Sequence, residues 1–171
     1  MERTLVIFKP DAVMRGIVGE ILTRFEKVGL KLVGIKMAQP NVDQYYHHYE
    51  TIGKMVTRRG KDIFDVTLQM MDEGPVIMAV LEGIEAVALV RKMVGATEPK
   101  EALPGTIRGD YSHISFKHAN DERIATPNII HASGDSDEAK QEIAHWFKKD
   151  ELFNYRTVHE HYTQARSRKI D

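Results

Sequence analysis

The sequence contains no cysteine. That absence excludes disulfide bonds, thiolate nucleophiles and cysteine-based metal sites, and it is compatible with a reducing compartment. Long apolar runs are missing too. No segment approaches the roughly twenty apolar residues of a transmembrane helix, and the N-terminal apolar stretch is too short for a signal peptide. We therefore predict a cytoplasmic protein with no membrane partner.

An excess of charge of either sign is also absent. Lys and Arg number 24, Asp and Glu number 25, and the net charge is −1. No broad basic surface is indicated, so no nucleic-acid partner is expected, and a polyanionic substrate would need a local cluster of cations. The 171 residues suit one domain; we predict a single domain over residues 1–171 with a polar tail from about residue 150.

What the sequence does contain is an alternation of short apolar runs and amphipathic segments. Predicted strands lie at 4–8, 30–37, 76–81 and 128–131, and predicted helices at 17–28, 84–94 and from 135 or 136 to about 148. Residues 42–72 predict two helical pieces with a loop near 57–60. Residues 95–127 lack sustained periodicity and predict a long functional loop.

This order of elements predicts an α/β fold of the ferredoxin-like βαββαβ type, with an antiparallel sheet and covering helices on one face. A fragment of a doubly wound parallel sheet is the alternative, because the pattern alone does not determine how strands pair.

No glycine-rich phosphate-binding loop is present, so side chains would have to hold any phosphate. Three cations are candidates: Lys9 directly after the first strand, Arg91 near a helix end, and Arg108. His131 ends the last strand, just before a predicted helix whose N-terminal dipole favours neutral imidazole. Neutral imidazole can attack phosphorus, although a structural histidine is the plainer interpretation.

Glu142 lies about 40° from Trp146 around the last predicted helix, at the edge of its apolar face. A carboxylate in that position needs a partner, and His131 precedes the same helix. We expect Glu142 to hold one ring nitrogen within about 3.2 Å and leave the other free. A solvated glutamate is the alternative.

The sequence gives weaker indications of aromatic residues that contact a base and of a metal site. Tyr49 and Phe64 lie in the polar 42–72 segment, where either stacking on a base or ordinary packing would suit them. No spacing typical of a zinc site occurs, so no protein metal site is predicted, and Mg²⁺ brought on nucleotide phosphates is the expected cofactor.

Five segments together resemble the nucleoside diphosphate kinase family. They are Lys9-Pro10-Asp11, Arg15-Gly16 with Gly19-Glu20, Gly95-Ala96-Thr97 with Pro99, residues 104–110, and Asn128 to Ser133. They occur in the family's order, and the resemblance runs from about Thr4 to Phe147. One such segment would be weak evidence, but five in order are specific.

The resemblance implies a ferredoxin-like core and ping-pong exchange between nucleoside triphosphates and diphosphates, through a phosphohistidine at His131. It implies further site residues: Glu142 to hold the ring, Ser133 beside it, Tyr49 near the transfer site, and Lys9, Arg91, Thr97, Arg108 and Asn128 on phosphates or sugar. Phe64 is the predicted base-contacting residue, with Ile63 as the alternative. Mg²⁺ bound mainly through the phosphates and a homohexamer or homotetramer are also implied.

The sequence departs from the family pattern in three places. Gly134 follows Ser133 where aspartate is usual, with Asp135 next; the stretch from Tyr49 to Gly74 is longer; and residues 115–127 are expanded. A family member retained as a nucleotide-binding or regulatory protein is the alternative function. An RNA-binding module is disfavoured, because Phe8 is the only aromatic in the first and third predicted strands.

Overall fold

The structure, a computed structural model, describes residues 1–163. Its framework is a four-stranded sheet with the order β2-β3-β1-β4, in which every neighbouring pair is antiparallel. The strands are β1 (Glu2–Phe8), β2 (Lys31–Ala38), β3 (Val76–Gly83) and β4 (Ile130–Ala132). The ferredoxin-like prediction is confirmed, and the parallel alternative is wrong.

Ten α-helices are seen within residues 1–163. They are α1 (Pro10–Met14), α2 (Val18–Lys27), α3 (Val42–Tyr46), α4 (Met55–Arg59), α5 (Lys61–Asp72), α6 (Ala86–Val94), α7 (Ile107–Tyr111), α8 (Phe116–Asp121), α9 (Ser136–Trp146) and α10 (Glu160–Thr163). A π-helical segment (His47–Ile52) continues α3, and single 3₁₀ turns occupy Pro99–Glu101 and Lys149–Glu151.

Helices cover both faces of the sheet, so the prediction of one covered face is wrong. Val6 and Phe8 of β1 point into a core with α2 and α6, whereas Leu5 and Ile7 point into a second core with α3, α5 and α9. All four are fully buried. The physical reason is that β1 is apolar on both sides, and each buried side chain of this size contributes roughly 1.5–3 kcal/mol.

Two segments contain more helix than the sequence predicts. In 42–72 the predicted loop at 57–60 is largely helical, and α4 and α5 are separated only at Gly60, which has a φ of +93°. The 95–127 segment is not a continuous loop, because it carries α7 and α8. Thr106 and Ser115 cap these short helices by accepting backbone N–H groups. Such local caps stabilise helices too short to show apolar periodicity.

The chain after α9 packs along the edge strand β2. The Phe153 N–H donates to the Val33 carbonyl at 2.9 Å, and the Tyr155 hydroxyl donates to the Leu32 carbonyl at 2.7 Å. Lys31 forms buried ion pairs with Glu82 at 2.7 Å and Glu160 at 3.1 Å. The polar tail predicted from about residue 150 is thus partly anchored, up to residue 163.

Across residues 1–163, no helix combines the length and apolar character needed to cross a bilayer.

Candidate active site

A cleft of about 470 Å³ opens where β1 ends and β4 begins, between the π-helical segment, α4, α5 and the 95–127 segment. Eight of the predicted site residues line it: Lys9, Tyr49, Arg91, Thr97, Arg108, Asn128, His131 and Glu142. Ser133 lies beneath it, fully buried. Residues distant in sequence therefore meet in one place, as expected.

His131 and Glu142 form the contact expected from their spacing. Strand β4 pairs with β1, which places His131 opposite Ile7, and helix α9 brings Glu142 back over the same strands. His131 Nε2 lies 2.8 Å from Glu142 Oε1, which confirms the predicted geometry. Since a carboxylate only accepts, Nε2 donates, and Nδ1 is left as the ring nitrogen available to the cleft.

The carboxylate of Glu142 is held ionised. Burial opposes its ionisation, but His131, His48 and the hydroxyl of Ser133 outweigh burial and lower the pKa of Glu142 to about 2. The Ser133 hydroxyl donates to Oε2 at 2.6 Å, and the Leu5 N–H donates to the Ser133 oxygen at 3.2 Å. Glu142 is thereby fixed to β1 as well as to the imidazole ring.

His48 is a site residue that the sequence did not single out. It is 1% exposed, its ring lies edge-on to His131 with centroids 4.6 Å apart, and its Nδ1 accepts from Trp146 Nε1 at 3.2 Å. Burial lowers its pKa well below the ordinary value, aided by the charge of His131. His48 therefore packs as a neutral ring against the face of His131. Its only sequence signal was its place beside Tyr49.

Lys9 is oriented by Asn128. Lys9 Nζ donates to Asn128 Oδ1 at 2.7 Å, and Asn128 Nδ2 donates to the Thr97 carbonyl at 2.9 Å. Burial is the main cause of a Lys9 pKa lowered to about 8, and the charges of Arg108 and Arg59 contribute. A buried ammonium with one neutral partner is poised to accept an anion.

Arg108 has a structural role in addition to the expected phosphate contact. Its guanidinium donates to three backbone carbonyls, those of Asn128 at 3.2 Å, Gly95 at 3.1 Å and Ile130 at 2.6 Å. Gly95 ends α6 with a φ of +86°, and a Cβ there would meet Thr106 at 2.5 Å. Arg108 thus ties α6 and α7 to the approach to β4, and burial lowers its pKa to about 10.

The backbone just before His131 is strained. Ile129 has a φ of +72°, which is unusual for a β-branched residue and costs about 1–3 kcal/mol. Its N–H donates to Asp11 Oδ2 at 3.0 Å, and its carbonyl accepts from the Lys9 N–H at 2.9 Å. The Lys9–Asp11 turn therefore holds a conformation that the 128–131 run would not adopt alone.

Tyr49 and Arg91 complete this end of the cleft. Tyr49 is 5% exposed and burial raises the pKa of its phenol. Its hydroxyl has no hydrogen-bond partner among the described residues. Arg91 is exposed and reaches the Ser133 carbonyl at 3.5 Å, so it remains available to an anion.

The other end of the cleft is apolar, and Phe64, the predicted base contact, does not line it. Phe64 is 5% exposed and packs edge-on against Tyr46 in the core, with ring centroids 5.7 Å apart. Ile63, the alternative, lines the cleft instead. Phe116 of α8 also lines it, under the guanidinium of Arg59 at 5.2 Å. The only sequence signal for Phe116 is the expansion of the 115–127 segment.

Side-chain carboxylates occupy three of the backbone amides around the start of α9. Asp135 Oδ1 accepts the N–H groups of Asp137 at 2.9 Å and Glu138 at 2.8 Å, and Glu138 Oε2 accepts that of Gly134 at 3.1 Å. The contact with Glu142 therefore orients His131 more directly than the dipole of α9 does. Asp135 serves as an N-cap and does not line the cleft.

Comparison with known proteins gives a consistent result. The family model described as nucleoside diphosphate kinase matches residues 2–152. The chain is 42% identical to a nucleoside diphosphate kinase of Borreliella burgdorferi, covering 91% of this chain and 93% of the other. It is 48% identical to one of Pyrococcus horikoshii, covering 90% of each.

Solved structures agree with this. A transition-state mimic of the Borrelia burgdorferi nucleoside diphosphate kinase with vanadate and ADP superposes with a TM-score of 0.90 at 42% identity, over 93% of this chain and 94% of that one. A Halobacterium salinarum nucleoside diphosphate kinase in complex with CDP gives a TM-score of 0.80 at 37% identity, over 96% and 99%.

Proposed function

Because the chain belongs to the nucleoside diphosphate kinase family, we propose that His131 carries the phosphoryl group that this enzyme moves between nucleotides. The enzyme transfers the terminal phosphoryl group of a nucleoside triphosphate to a nucleoside diphosphate. The observation that supports His131 is its 2.8 Å bond to Glu142, which fixes the tautomer and leaves Nδ1 for attack.

In the first half-reaction, Nδ1 attacks the terminal phosphorus. An N–P bond forms, the bond from phosphorus to the bridging oxygen breaks, and the diphosphate leaves with the electron pair. A phosphate oxygen of a second diphosphate then attacks, the N–P bond breaks, and its electron pair returns to Nδ1. The Nε2 proton remains between the ring and Glu142, whose charge offsets the positive charge that the ring acquires.

The cations beside His131 stabilise the transferring group. Lys9 and Arg108 are 8% and 7% exposed, so their charges act in a site shielded from water. They and Arg91 neutralise charge on the phosphoryl oxygens, and the Tyr49 hydroxyl supplies a further donor. Asn128 orients Lys9, and Thr97 holds Asn128 through its carbonyl.

We further propose Mg²⁺ as the cofactor, held mainly by nucleotide phosphates. Among the described lining residues, Glu138 and Glu142 are the only carboxylates, and Glu142 is engaged by His131 and Ser133. This set suits a hard ion that keeps several waters and binds phosphate oxygens, rather than an all-protein cage. Bound there, the ion would neutralise phosphate charge.

A homohexamer or homotetramer in the cytoplasm is proposed from the family resemblance. Ile35 and Met37 on the edge strand β2 are 46% and 58% exposed, which supports burial of this strand against another copy. Light scattering coupled to size-exclusion chromatography would determine the number of subunits.

Labelling tests the proposed function. We expect the protein incubated with γ-labelled triphosphate to gain an acid-labile, base-stable label, the stability of a phosphohistidine, and to lose it to added diphosphate. His131→Ala should gain none. A protein that binds nucleotide without acquiring label would instead support the regulatory alternative.

A further inference from the structure

We propose that Trp146 is a positioning residue for phosphoryl transfer, because its indole N–H fixes the tautomer of His48. In that tautomer His48 has no proton to donate to Glu142, and the carboxylate stays with His131. The inference rests on the proposed function of His131. It extends that function to Trp146, which does not line the cleft.

One carboxylate oxygen lies within reach of two imidazole rings. Glu142 Oε1 is 2.8 Å from His131 Nε2 and 3.7 Å from His48 Nδ1. The other oxygen, Oε2, already accepts from the Ser133 hydroxyl at 2.6 Å. Oε1 is therefore the atom for which the two rings can compete, and a small movement of His48 would bring its Nδ1 within hydrogen-bonding distance.

The indole of Trp146 determines which nitrogen of His48 carries a proton. The ring of His48 is neutral, since burial lowers its pKa well below the ordinary value. Trp146 Nε1 lies 3.2 Å from His48 Nδ1, and an indole N–H only donates. His48 Nδ1 must therefore accept, and the single proton of the neutral ring lies on Nε2. Nδ1 then has nothing to donate to Glu142.

The rest of the site favours the opposite tautomer. His48 Nε2 is buried and has no hydrogen-bond partner among the described residues, so a proton there is unsatisfied. A proton on Nδ1 would instead face the charged carboxylate of Glu142, and charge-assisted hydrogen bonds are the stronger kind. The bond from Trp146 is the contact that outweighs this alternative.

Helix α9 carries both the carboxylate and the indole. Glu142 and Trp146 are four residues apart, so they lie on the same face of the helix, about one turn from each other. His48 meets both from the π-helical segment, a helix type that is common at functional sites. Trp146 is 5% exposed, and its ring packs edge-on against Tyr45 and His145, with centroids 6.1 Å and 4.5 Å away. These contacts hold the indole in place.

Removal of the indole N–H alone tests the proposal. Trp146 is the only tryptophan in the sequence, so the protein can be produced with benzothienylalanine there, which keeps the ring shape and has no N–H. In ¹⁵N spectra of the histidine rings we expect the His48 proton on Nε2 in the wild type and on Nδ1 in the analogue. Turnover should fall about ten-fold, the order seen when an outer partner of a functional histidine is lost. ADP affinity, measured by calorimetry, should not change.

Trp146→Phe in two backgrounds separates this role from packing. His48→Met leaves an apolar side chain with no N–H that could reach Glu142. In that background Trp146→Phe should not lower turnover further, whereas in the wild-type background it should lower it about ten-fold. Tyr45→Phe is the matched control, because it removes a hydroxyl with no hydrogen-bond partner among the described residues from a ring beside Trp146. It should change neither the tautomers nor turnover.

A wild-type His48 proton on Nδ1 would overturn the proposal, as would unchanged tautomers or unchanged turnover in the analogue. An equal loss from Trp146→Phe in both backgrounds would also overturn it, because the indole would then act through packing alone. Urea midpoints of all variants check that a loss is not due to unfolding. The spectra are recorded without nucleotide, so tautomers that shift as expected in a protein that acquires no label would contradict only the proposed function.

Discussion

The two ends of the cleft are built differently. At the phosphate end, Lys9, Arg108, Asn128 and Glu142 are 8%, 7%, 4% and 1% exposed, and hydrogen bonds connect them to other parts of the chain. At the apolar end, Phe116 and Ile63 are half-buried, and Ile124 is 45% exposed.

This difference shows how catalysis and binding place different demands on the fold. Hydrogen bonds at this end join residues far apart in sequence: Lys9 and Asn128 are separated by 119 residues, and Leu5 and Ser133 by 128. The sheet itself therefore fixes the phosphate end. The apolar end lies between the short helices α4 and α8 and the exposed side of α5, which carries Ile63. A transferring phosphoryl group needs fixed geometry, whereas varied bases need only a surface.

The strongest test of the phosphate end is His131→Ala. We expect transfer to fall by at least about 10⁴-fold, the scale seen when a covalent nucleophile is removed. ADP affinity should change little, because the remaining cations and the apolar end of the cleft persist. Stopped-flow turnover and calorimetry measure the two quantities. His113→Ala, at an exposed histidine outside the cleft, should match the wild type, and substantial residual turnover in His131→Ala would contradict the assignment.

The next test separates two buried cations. Lys9→Met and Arg108→Met should each lower turnover by about 10²-fold, since each removes charge from the transferring group. Only Arg108→Met should also lose several kcal/mol of stability, because three carbonyls lose their donor. Urea unfolding with parallel kinetics measures both. If Arg108→Met unfolds like the wild type, its structural role at this end is wrong.

Glu142→Gln should reduce turnover by about ten- to a hundred-fold. The amide keeps the shape and can accept from Nε2, but it lacks the charge that offsets the forming positive ring. Folding stability should fall less than activity. A ¹⁵N spectrum of the histidine ring reports the tautomer directly, and the wild-type ring should show its proton on Nε2. A proton on Nδ1 would contradict the mechanism.

The pH dependence of kcat/KM should report the ionisation of Lys9. Its charge is required and its pKa is about 8, so kcat/KM should fall about five-fold between pH 8 and pH 9. Deprotonation of Lys9 cannot produce this fall in kcat/KM by unfolding the protein. With the folded pKa below the unfolded value, the unfolded chain binds more protons between these pKa values, and stability rises there with pH. Lys9→Arg should lose this limb of the profile, and its persistence would assign the limb elsewhere.

The same contrast explains what the sequence could predict. Strand β1 and the Glu142 position followed from apolar periodicity, which reports burial directly. Periodicity cannot tell which of two adjacent apolar residues, Ile63 or Phe64, points to the cleft and which to the core. Helix α8 is only six residues long and rests on local caps, so it carries no periodic signal. Helices on the second face were missed, since strand patterns do not specify what covers them.

The smallest expected effect concerns Phe64 itself. Phe64→Leu removes part of a ring that packs at 5.7 Å against Tyr46, so we expect a loss of about 1–2 kcal/mol of stability. KM for ADP and for pyrimidine diphosphates should stay within about two-fold, because the ring contacts the core and not the cleft. Urea midpoints and KM values, measured together, separate these outcomes. A large rise in KM with an unchanged midpoint would show that Phe64 contacts the nucleotide, and the contrast between a rigid phosphate end and a less fixed apolar end would then be wrong.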